Sequence, residues 1–306
     1  MNEKVSVLQV DNLSVSFSMY NKGLSKRDLE VIHELSIDVK KGEIVAVVGS
    51  SGSGKSLLAH AIMGILPENS KTKGSIKYYN DELNEKYLRK VRGKDIAFIP
   101  QSVDFLDPLM KVGKQVVGIN GNKERQKEVF KKYNLDDKVA EMYPFQLSGG
   151  MARRVLIATA VMNEAKLIIA DEPTPGLNLE LAMETLNNFR EIADSGCGVL
   201  LITHDVDLAL NVADRVAVFY SGTIVEIAQV EDFIKGKDAL RHPYSKAFID
   251  ALPQNKFKEL PGYQPYAGNL PKGCLFRDRC SLKTDECCME IKMRKVRDGE
   301  VRCINT

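Results

Sequence analysis

The segment GSSGSGKS, residues 49–56, constrains the fold of this chain more than any other feature. It follows the apolar run IVAVV (44–48) and leads into the helix-like stretch SLLAHAIMGIL (56–66). This is the pattern G-x-x-x-x-G-K-[ST] in the strand-to-helix context that the pattern requires. A glycine-rich turn of this kind directs backbone N–H groups towards an anion at the positive end of the helix. The segment therefore predicts a phosphate-binding loop at the edge of a parallel sheet.

Within this loop, Lys55 is expected to reach the β- and γ-phosphates of a nucleotide, and the Ser56 hydroxyl is expected to ligate Mg²⁺. The loop residues predicted to bind the nucleotide are Gly49, Ser51, Gly52, Ser53, Gly54, Lys55 and Ser56.

Short continuous apolar runs alternate with helix-like stretches along the chain. Such runs are typical of parallel strands that are covered on both faces, and the alternation predicts an α/β fold. The runs are DIAFI (95–99), KLIIA (166–170), GVLLI (198–202) and RVAVF (215–219), with helix-like MARRVLIATAVM (151–162) and LELAMETLNNFREIA (179–193) between them and further strand character in SGTIVEIA (221–228).

The flanking segments differ from this core. Residues 5–17 and 31–39 alternate apolar and polar positions, which predicts half-buried antiparallel strands joined by a polar connection over 18–30. The segment from about 101 to 163 lacks strand signals and is predicted to be a helical subdomain. We expect the core domain to cover residues 1–235 and a less regular extension to cover 236–306.

Two adjacent carboxylates, Asp171 and Glu172, directly follow the apolar run KLIIA. Side chains at the carboxyl end of a parallel strand beside a phosphate loop face the ligand crevice. There Asp171 would hold Mg²⁺ through water, and Glu172 would polarise the water that attacks the terminal phosphate. A solvated acidic loop is the alternative interpretation of an isolated Asp-Glu pair.

Two further polar residues follow apolar runs of the same predicted sheet. His204 comes after GVLLIT, where its ring could reach the terminal phosphate, although a lone histidine is more often structural. Gln101 comes after DIAFIP, where its amide could join both Mg²⁺ and the attacking water. Taken alone, Gln101 favours neither a functional nor a structural role.

The segment LSGGM, residues 147–151, opens a predicted helix. Ser148 is of a type that caps helix N-termini, and Gly149 and Gly150 let a phosphate approach the positive helix end. Because the chain already has one phosphate loop, this second anion site is expected to serve the nucleotide of another subunit. With all these motifs in this order and spacing, the chain resembles the ATP-binding subunits of ABC transporters.

The resemblance implies a P-loop NTPase core with a mixed, largely parallel sheet, an antiparallel β subdomain and a helical subdomain. It also implies that two subunits close head to tail, each ATP lying between the phosphate loop of one and LSGGM of the other. Phe17 matches the aromatic residue that stacks on adenine, with core packing as the alternative. Asn178 stands where the family usually has Asp in a loop that contacts the opposite subunit. This departure indicates a weakened cross-subunit contact or a dissimilar partner; hydrolysis is still expected, because Glu172 and His204 are present.

The charge and the apolar segments bear on the location of the protein. A net charge of +2 gives no global field that would favour nucleic acid. The start, MNEKVSVLQVDNLSV, lacks the pattern of a secretory signal, and no apolar run approaches the length of a membrane span. We therefore expect a cytosolic protein whose thiols stay reduced.

Five of the six cysteines lie between residues 274 and 303. The preceding RHPYSKAFIDALP (241–253) and NLPKGCLFRDRC (269–280) resemble the tail of the peptide/nickel branch of ABC importers. That branch commonly carries a [4Fe–4S] cluster on four cysteines, which reduced thiolates suit. Zinc and unliganded thiols are the alternatives, although the cysteine spacings exceed those usual for structural zinc. The matching residues are Cys274, Cys280, Cys287 and Cys303.

The resemblance implies an ATPase at the cytoplasmic face of the membrane that powers the import of peptides, nickel or a metal–chelator complex. The implied partners are a second ATPase subunit (with Asn178 favouring a heterodimer), membrane permease subunits and an extracytoplasmic binding protein. A permease helix is expected to seat around residues 101–109. A soluble ABC ATPase without a transport role, and a regulatory subunit with weak hydrolysis, are the alternatives. The sequence does not specify the cargo.

Overall fold

The computed structural model describes residues 5–20, 25–50, 52–118, 121–255 and 257–306. Within these residues the strands form two sheets. The smaller sheet contains β1 (Ser6–Tyr20), β2 (Lys26–Lys40), β4 (Ser70–Tyr78) and β5 (Asp81–Glu82). The larger sheet contains β3 (Ile44–Val48), β6 (Ile96–Ile99), β7 (Leu167–Asp171), β8 (Gly198–Thr203), β9 (Arg215–Tyr220), β10 (Thr223–Gln229), β11 (Arg294–Val296) and β12 (Gly299–Val301).

The five continuous apolar runs form the parallel part of the larger sheet, in the order β9-β3-β8-β7-β6. Side chains of β3 alternate between its two faces: Val45 and Val47 pack with the antiparallel sheet, and Ala46 and Val48 pack with the helices. Both faces are therefore covered, which explains why these strands are apolar without interruption. The predicted mixed, largely parallel α/β fold is confirmed.

The smaller sheet is antiparallel, as the alternating pattern of residues 5–17 and 31–39 predicts. The prediction of a polar connection over 18–30 is wrong for most of that segment. Strand β1 continues to Tyr20 and β2 begins at Lys26, with Met19 paired to Arg27. Ladder hydrogen bonds to a neighbouring strand satisfy the backbone there, so these strand ends need no apolar face to form.

The helices pack on the larger sheet, and none of those in the described stretches combines the length and apolar character that a bilayer crossing requires. As predicted, the described part of residues 101–163 is helical and contains no strand. The helices are α1 (Lys55–Met63), α2 (Glu85–Val91), α3 (Val112–Val117), α4 (Lys123–Lys132), α5 (Gly149–Val161), α6 (Leu179–Asp194), α7 (Val206–Leu210), α8 (Val230–Ile234) and α9 (Pro243–Asp250). Short 3-10 helices occur at Val103–Phe105, Asp137–Glu141, Pro144–Gln146, Ala267–Asn269, Arg277–Arg279 and Asp285–Cys288.

The C-terminal extension is more regular than the sequence indicates and packs onto the core. Strand β12 pairs with β10 and so extends the larger sheet. The ring of Phe276, 2% exposed, lies edge-on to Tyr220 of β9 at 5.4 Å and near Tyr244 of α9 at 5.3 Å. The extension therefore shares the hydrophobic core of the preceding residues, and the domain boundary at 235/236 stays a prediction.

A buried carboxylate fixes the start of the extension to β10. Glu226 is fully buried and accepts hydrogen bonds from the backbone N–H groups of Arg241 (2.8 Å) and His242 (2.7 Å). The Arg241 guanidinium also pairs with Asp232 at 2.9 Å and donates to the Val296 carbonyl of β11 at 2.6 Å. The guanidinium also lies 3.4 Å from the Glu226 carboxylate, and both side chains of this ion pair are buried, so removing one leaves the other unsatisfied.

We predict that Glu226→Ala lowers the free energy of unfolding by about 3–5 kcal/mol, the usual result of breaking a buried charged pair. Glu226→Gln should cost less, since its side-chain carbonyl can still accept one of the two backbone hydrogen bonds. Urea denaturation of the full chain measures both. The exposed Glu259→Ala serves as the control and should leave stability within about 0.5 kcal/mol; an equally small effect of Glu226→Ala would contradict the prediction.

Candidate functional site

Three adjacent parallel strands deliver the predicted site residues to one edge of the larger sheet. Strands β3, β8 and β7 are neighbours and run in the same direction, so their carboxyl ends meet. The phosphate loop follows β3, the acid pair lies at the end of β7, and His204 follows β8. This is where parallel α/β sheets bind ligands.

The loop between β3 and α1 has a backbone that requires glycine at two positions. A Cβ on Gly49 would lie 2.4 Å from the Phe219 carbonyl oxygen, which leaves no room for a side chain. Gly54 has φ 103°, in the left-handed region, and forms the N-cap of α1. Of the other predicted loop residues, Ser51 lies outside the described residues, and Ser53 is buried with no hydrogen-bond partner for its hydroxyl among the described ones.

Lys55 is buried and points back into its own loop. Its Nζ donates to the carbonyl oxygens of Gly49 (2.9 Å) and Ser50 (3.0 Å). Burial lowers the pKa of Lys55, and the nearby carboxylates of Glu172 and Asp171 counteract that effect. The loop thus holds an ammonium group among backbone acceptors, where the oxygens of a phosphate would give it stronger charge-assisted bonds.

Asp171 is 1% exposed and only partly satisfied. Its Oδ1 accepts from the Ser56 hydroxyl at 3.1 Å, whereas its Oδ2 has no hydrogen-bond partner among the described residues. Burial raises the pKa of Asp171, and the neighbouring Glu172 raises it further. An unpartnered carboxylate oxygen beside a hydroxyl is the hard oxygen chemistry that Mg²⁺ prefers, so these residues fit the predicted ion.

Gln101, the third predicted magnesium ligand, is exposed and follows β6 at the same edge of the sheet. Its loop is held by Arg153 of α5, a residue that is 6% exposed and whose guanidinium donates to the carbonyls of Pro100 (2.8 Å) and Gln101. Burial lowers the pKa of Arg153, and the carboxylates of Asp171 and Glu172 oppose this. The sequence analysis missed Arg153; its signal is an arginine inside an apolar helix directly after LSGGM.

Glu172 has a strained backbone and a fixed side chain. Its φ is 48°, which is costly for a residue with a Cβ, and its N–H donates to the Ile202 carbonyl at 2.9 Å. The buried carboxylate lies with Oε2 2.8 Å from Nδ1 of His204, whose side chain is 58% exposed. The structure therefore brings together the two residues predicted to be catalytic, with the histidine between the carboxylate and solvent.

The LSGGM segment presents open backbone at the start of α5. Ser148 is the N-cap, and its Oγ accepts from the Met151 N–H at 3.3 Å. A Cβ on Gly149 would meet nothing within 4 Å, and one on Gly150 would meet only ordinary contacts at 3.5 Å or more. Packing within this chain therefore does not require glycine at either position.

Phe17 and Asn178 each have local contacts within this chain. Phe17 of β1 is half-buried and pairs across the sheet with Leu29. It packs against the apolar cluster between the two sheets. Asn178 is the N-cap of α6, and its Oδ1 accepts from the Leu181 N–H at 2.9 Å. Asn and Asp cap helices equally well, so the departure from Asp costs this chain no helix stability.

The four cysteines predicted to hold a cluster lie close to one another. The Cys274 N–H donates to the Cys287 carbonyl at 2.9 Å, and burial, together with the three neighbouring thiols, raises the pKa of the Cys274 thiol to about 11. Backbone N–H groups approach Sγ of Cys280 (3.4 Å) and of Cys287 (3.5 Å). As the side chains stand in the described part of the chain, however, no three His, Cys, Asp or Glu residues form a metal-binding group. Cys288 is exposed.

Two protein-family models match the chain. The model described as "ABC transporter" matches residues 32–175, and the model described as "Oligopeptide/dipeptide transporter, C-terminal region" matches residues 225–287.

Curated relatives match over nearly the full length. The probable D,D-dipeptide transport ATP-binding protein DdpD of Escherichia coli (strain K12) is 34% identical, over 97% of this chain and 95% of its own. The dipeptide transport ATP-binding protein DppD of Bacillus subtilis (strain 168) is 35% identical, over 92% of this chain and 88% of its own.

Solved structures with a similar fold include a dimeric bacterial ABC transporter cassette, MJ0796. It has a TM-score of 0.65 and 26% identity, over 73% of this chain and 98% of that one. A post-hydrolysis state of the same cassette, bound to ADP and Pi, has a TM-score of 0.64 and 25% identity, with the same coverage of both chains.

We predict that Asp171→Asn stabilises the nucleotide-free protein at pH 7. The fold raises the pKa of Asp171, so its stabilising contribution is complete only when the carboxyl is protonated and is lost as the pH rises through that pKa. Removing the charge should raise the Tm at pH 7 by about 2–4 °C, the shift that ~1 kcal/mol gives in a protein of this size. The gain should shrink as the pH falls, and Mg²⁺-dependent ATP binding should be lost.

Differential scanning calorimetry at several pH values, without nucleotide, measures this effect. The exposed Asp81→Asn is the matched control and should leave the Tm unchanged. If Asp171→Asn has the same Tm as the parent at pH 7, or a lower one, burial of the charged Asp171 carboxylate does not destabilise the fold.

Proposed function

Since this chain belongs to the family of ABC transporter ATP-binding subunits and is an ATPase of that family, we propose that it powers the import of dipeptides or oligopeptides. The observation that carries the proposal is the match to curated dipeptide transport ATP-binding proteins over 92–97% of the chain, together with the match of residues 225–287 to the oligopeptide/dipeptide C-terminal model. A nickel or metal–chelator cargo is the second candidate, favoured only by the resemblance of the tail to the peptide/nickel branch.

We assign the binding of the triphosphate to the loop Gly49–Ser56. Lys55 already lies among backbone acceptors of the loop and would exchange them for β- and γ-phosphate oxygens. Ser56 and Asp171 would hold Mg²⁺, together with Gln101, and the ion would neutralise charge on the phosphates. The unpartnered Oδ2 of Asp171 supports this assignment. Phe17 would stack on the adenine.

We assign the proton transfer to Glu172. Its buried carboxylate, with Oε2 2.8 Å from the His204 ring, is oriented by that contact, so it would accept a proton from the water that attacks the γ-phosphate. A positioned general base of this kind is typically worth about 10²- to 10⁴-fold in rate. His204 is half-exposed and would also contact the γ-phosphate.

A second ATP-binding subunit would complete the site. Ser148, Gly149 and Gly150 expose backbone and a helix N-terminus that this chain does not use for its own packing, which supports their binding the nucleotide of a partner. The neutral Asn178 keeps its helix-capping hydrogen bond. The charge that an Asp would carry at this position would therefore matter only for contacts with the other subunit. This favours a heterodimer in which the partner carries the Asp.

A permease would dock on the helical subdomain. Next to the Gln101 loop, the side chains of Phe105 (55% exposed), Leu109 (88%) and Met110 (41%) form an exposed apolar surface. A membrane permease helix would bury this surface and so hold the subunit at the cytoplasmic face of the membrane. An extracytoplasmic binding protein would supply the cargo. A soluble role without a permease would leave these apolar side chains in water.

We further propose a [4Fe–4S] cluster on the tail. Burial and neighbouring thiols raise the pKa of Cys274, Cys280 and Cys303, with the Cys287 thiol among the neighbours in each case, and backbone N–H groups approach the sulfurs of Cys280 and Cys287. Hydrogen bonds of this kind tune protein-bound clusters. The tail has no core of its own, so a cluster would act chiefly as a structural cross-link.

For the reconstituted transporter, we predict that a binding protein loaded with a dipeptide raises ATP turnover, and that Glu172→Gln reduces turnover at least about 100-fold while ATP still binds. Phosphate release from proteoliposomes measures turnover. The exposed Glu180→Gln should behave like the parent.

Two results would contradict these assignments separately. Turnover that survives Glu172→Gln would show that this carboxylate is not the base. If a nickel-loaded binding protein raises ATP turnover and a dipeptide-loaded one does not, the proposed cargo is wrong and the ATPase assignment is unaffected.

For the cluster, we predict that the anaerobically purified chain is brown and contains iron and sulfide. Cys280→Ser should lose the visible absorbance and the iron, because one of the four ligands is gone. Cys288→Ser and the core variant Cys197→Ser are the controls and should keep both. A colourless parent without iron would rule the cluster out, and zinc content would then distinguish a zinc site from free thiols.

A further inference from the structure

A cavity of about 410 Å³ lies between strands β2 and β10 and the C-terminal extension. Its volume is within the range of about 300–1,000 Å³ that small-molecule sites occupy. Among the described residues, none of those assigned above to ATP, to Mg²⁺ or to catalysis lines it. It is therefore a separate feature from the nucleotide site.

Four residues that line this cavity each carry a buried polar atom without a hydrogen-bond partner in the described part of the chain. These atoms are Nε2 of His33, Oγ1 of Thr223, Nε2 of His242 and Nε of Arg302. Thr223 and His242 are 3% and 1% exposed. Buried polar groups in folded proteins are nearly always paired, so four exceptions around one cavity indicate an occupant that pairs with them.

The contacts of each ring or guanidinium define what the occupant must offer. Nδ1 of His242 accepts from the Tyr244 N–H at 3.0 Å, so the proton of the neutral ring is on Nε2, which is a donor. The Arg302 guanidinium donates through its two terminal nitrogens to the carbonyls of Glu34 and Ile291, and its Nε–H is left without an acceptor among the described residues. Both atoms therefore require an acceptor.

The unpaired nitrogen of His33 requires a hydrogen-bond donor. Its Nδ1 lies 3.3 Å from the Glu30 carboxylate and so carries the proton, which makes Nε2 an acceptor. Burial lowers the pKa of His33 and thus favours this neutral form. The occupant must therefore also carry a donor.

The walls are charge-balanced and partly apolar. Two cationic and two anionic side chains line the cavity, so it suits a molecule that carries both signs. The charged residues are Lys272, Arg302, Glu34 and Glu290, and the apolar ones are Val225, Leu270, Pro271, Leu275 and Ile291.

We propose that this cavity binds a small zwitterion with an apolar side chain, a free amino acid or a dipeptide. Its carboxylate accepts from His242, Arg302 and the Thr223 hydroxyl, its ammonium donates to His33, and its side chain lies against Leu275 and Ile291. The inference does not depend on the cargo or direction of transport, because it is argued from the cavity alone.

The cavity is connected to the phosphate loop through strand β2. The His33 N–H donates at 2.9 Å to the carbonyl of Gly222, in the turn between β9 and β10. Two residues earlier in β2, the Val31 carbonyl oxygen is 3.7 Å from where a Cβ of Gly54 would be. The same strand thus touches both the cavity and the loop that binds the triphosphate.

Isothermal titration calorimetry of the anaerobically purified full chain, without nucleotide, tests the proposal with four probes. Leucine and alanyl-leucine carry both charges, leucinamide lacks the carboxylate, and 4-methylpentanoate lacks the ammonium. We expect at least one zwitterion to bind, and leucinamide and 4-methylpentanoate to bind about tenfold more weakly or not at all, because leucinamide leaves the Arg302 guanidinium without an acceptor and 4-methylpentanoate leaves the His33 ring without a donor.

Two variants test whether the zwitterion binds in this cavity. Thr223→Val keeps the shape and removes one hydroxyl, so it should weaken the zwitterion about fivefold, and Leu275→Trp should fill the cavity and abolish binding. Thr185→Val, at a buried threonine of α6 that does not line the cavity, is the control. The proposal is overturned if neither zwitterion binds the parent, which would mean that ordered water alone meets these groups. It is also overturned if Leu275→Trp, with an unchanged Tm, binds as the parent does.

Discussion

The site depends on burying two neighbouring carboxylates, Asp171 and Glu172, at the end of one strand, where the nearby cations Lys55 and Arg153 donate hydrogen bonds to backbone carbonyls instead. Asp171 has one oxygen on the Ser56 hydroxyl and one without a partner, and Glu172 faces His204 from a strained backbone. The Lys55 ammonium is engaged by the carbonyls of its own loop, and the Arg153 guanidinium by those of Pro100 and Gln101. Such an arrangement costs stability in the free chain and would become favourable with the proposed Mg²⁺ and triphosphate bound.

Motifs and buried strands could be predicted from the sequence because their causes are local. The phosphate loop needs glycine at Gly54 because its backbone is left-handed there, and strands covered on both faces need continuous apolar runs. The five parallel strands, the helical insertion and the meeting of Ser56 with Asp171 follow from these rules. So does the contact between Glu172 and His204, since adjacent parallel strands end at the same edge.

The features that could not be predicted depend on partners distant in sequence. Strand β4, SKTKGSIKY, has little apolar alternation and forms because β1 offers it a ladder. Strand β12 adds to β10 from more than seventy residues away. Arg153, Glu226 and the groups around the cavity acquire their importance only from what the fold places beside them. The tail is thus joined to the ATPase core by a sheet, a buried ion pair and an aromatic cluster.

The central claim is that one chain supplies only half of each ATP site. Sedimentation velocity of the Glu172→Gln chain, alone and with a co-expressed second ATP-binding subunit, with and without MgATP, tests this most directly, alongside the same chain carrying Ser148→Arg. The account predicts association that requires MgATP and is lost with Ser148→Arg, although that chain alone still binds ATP. Association that persists in the Ser148→Arg chain would contradict it.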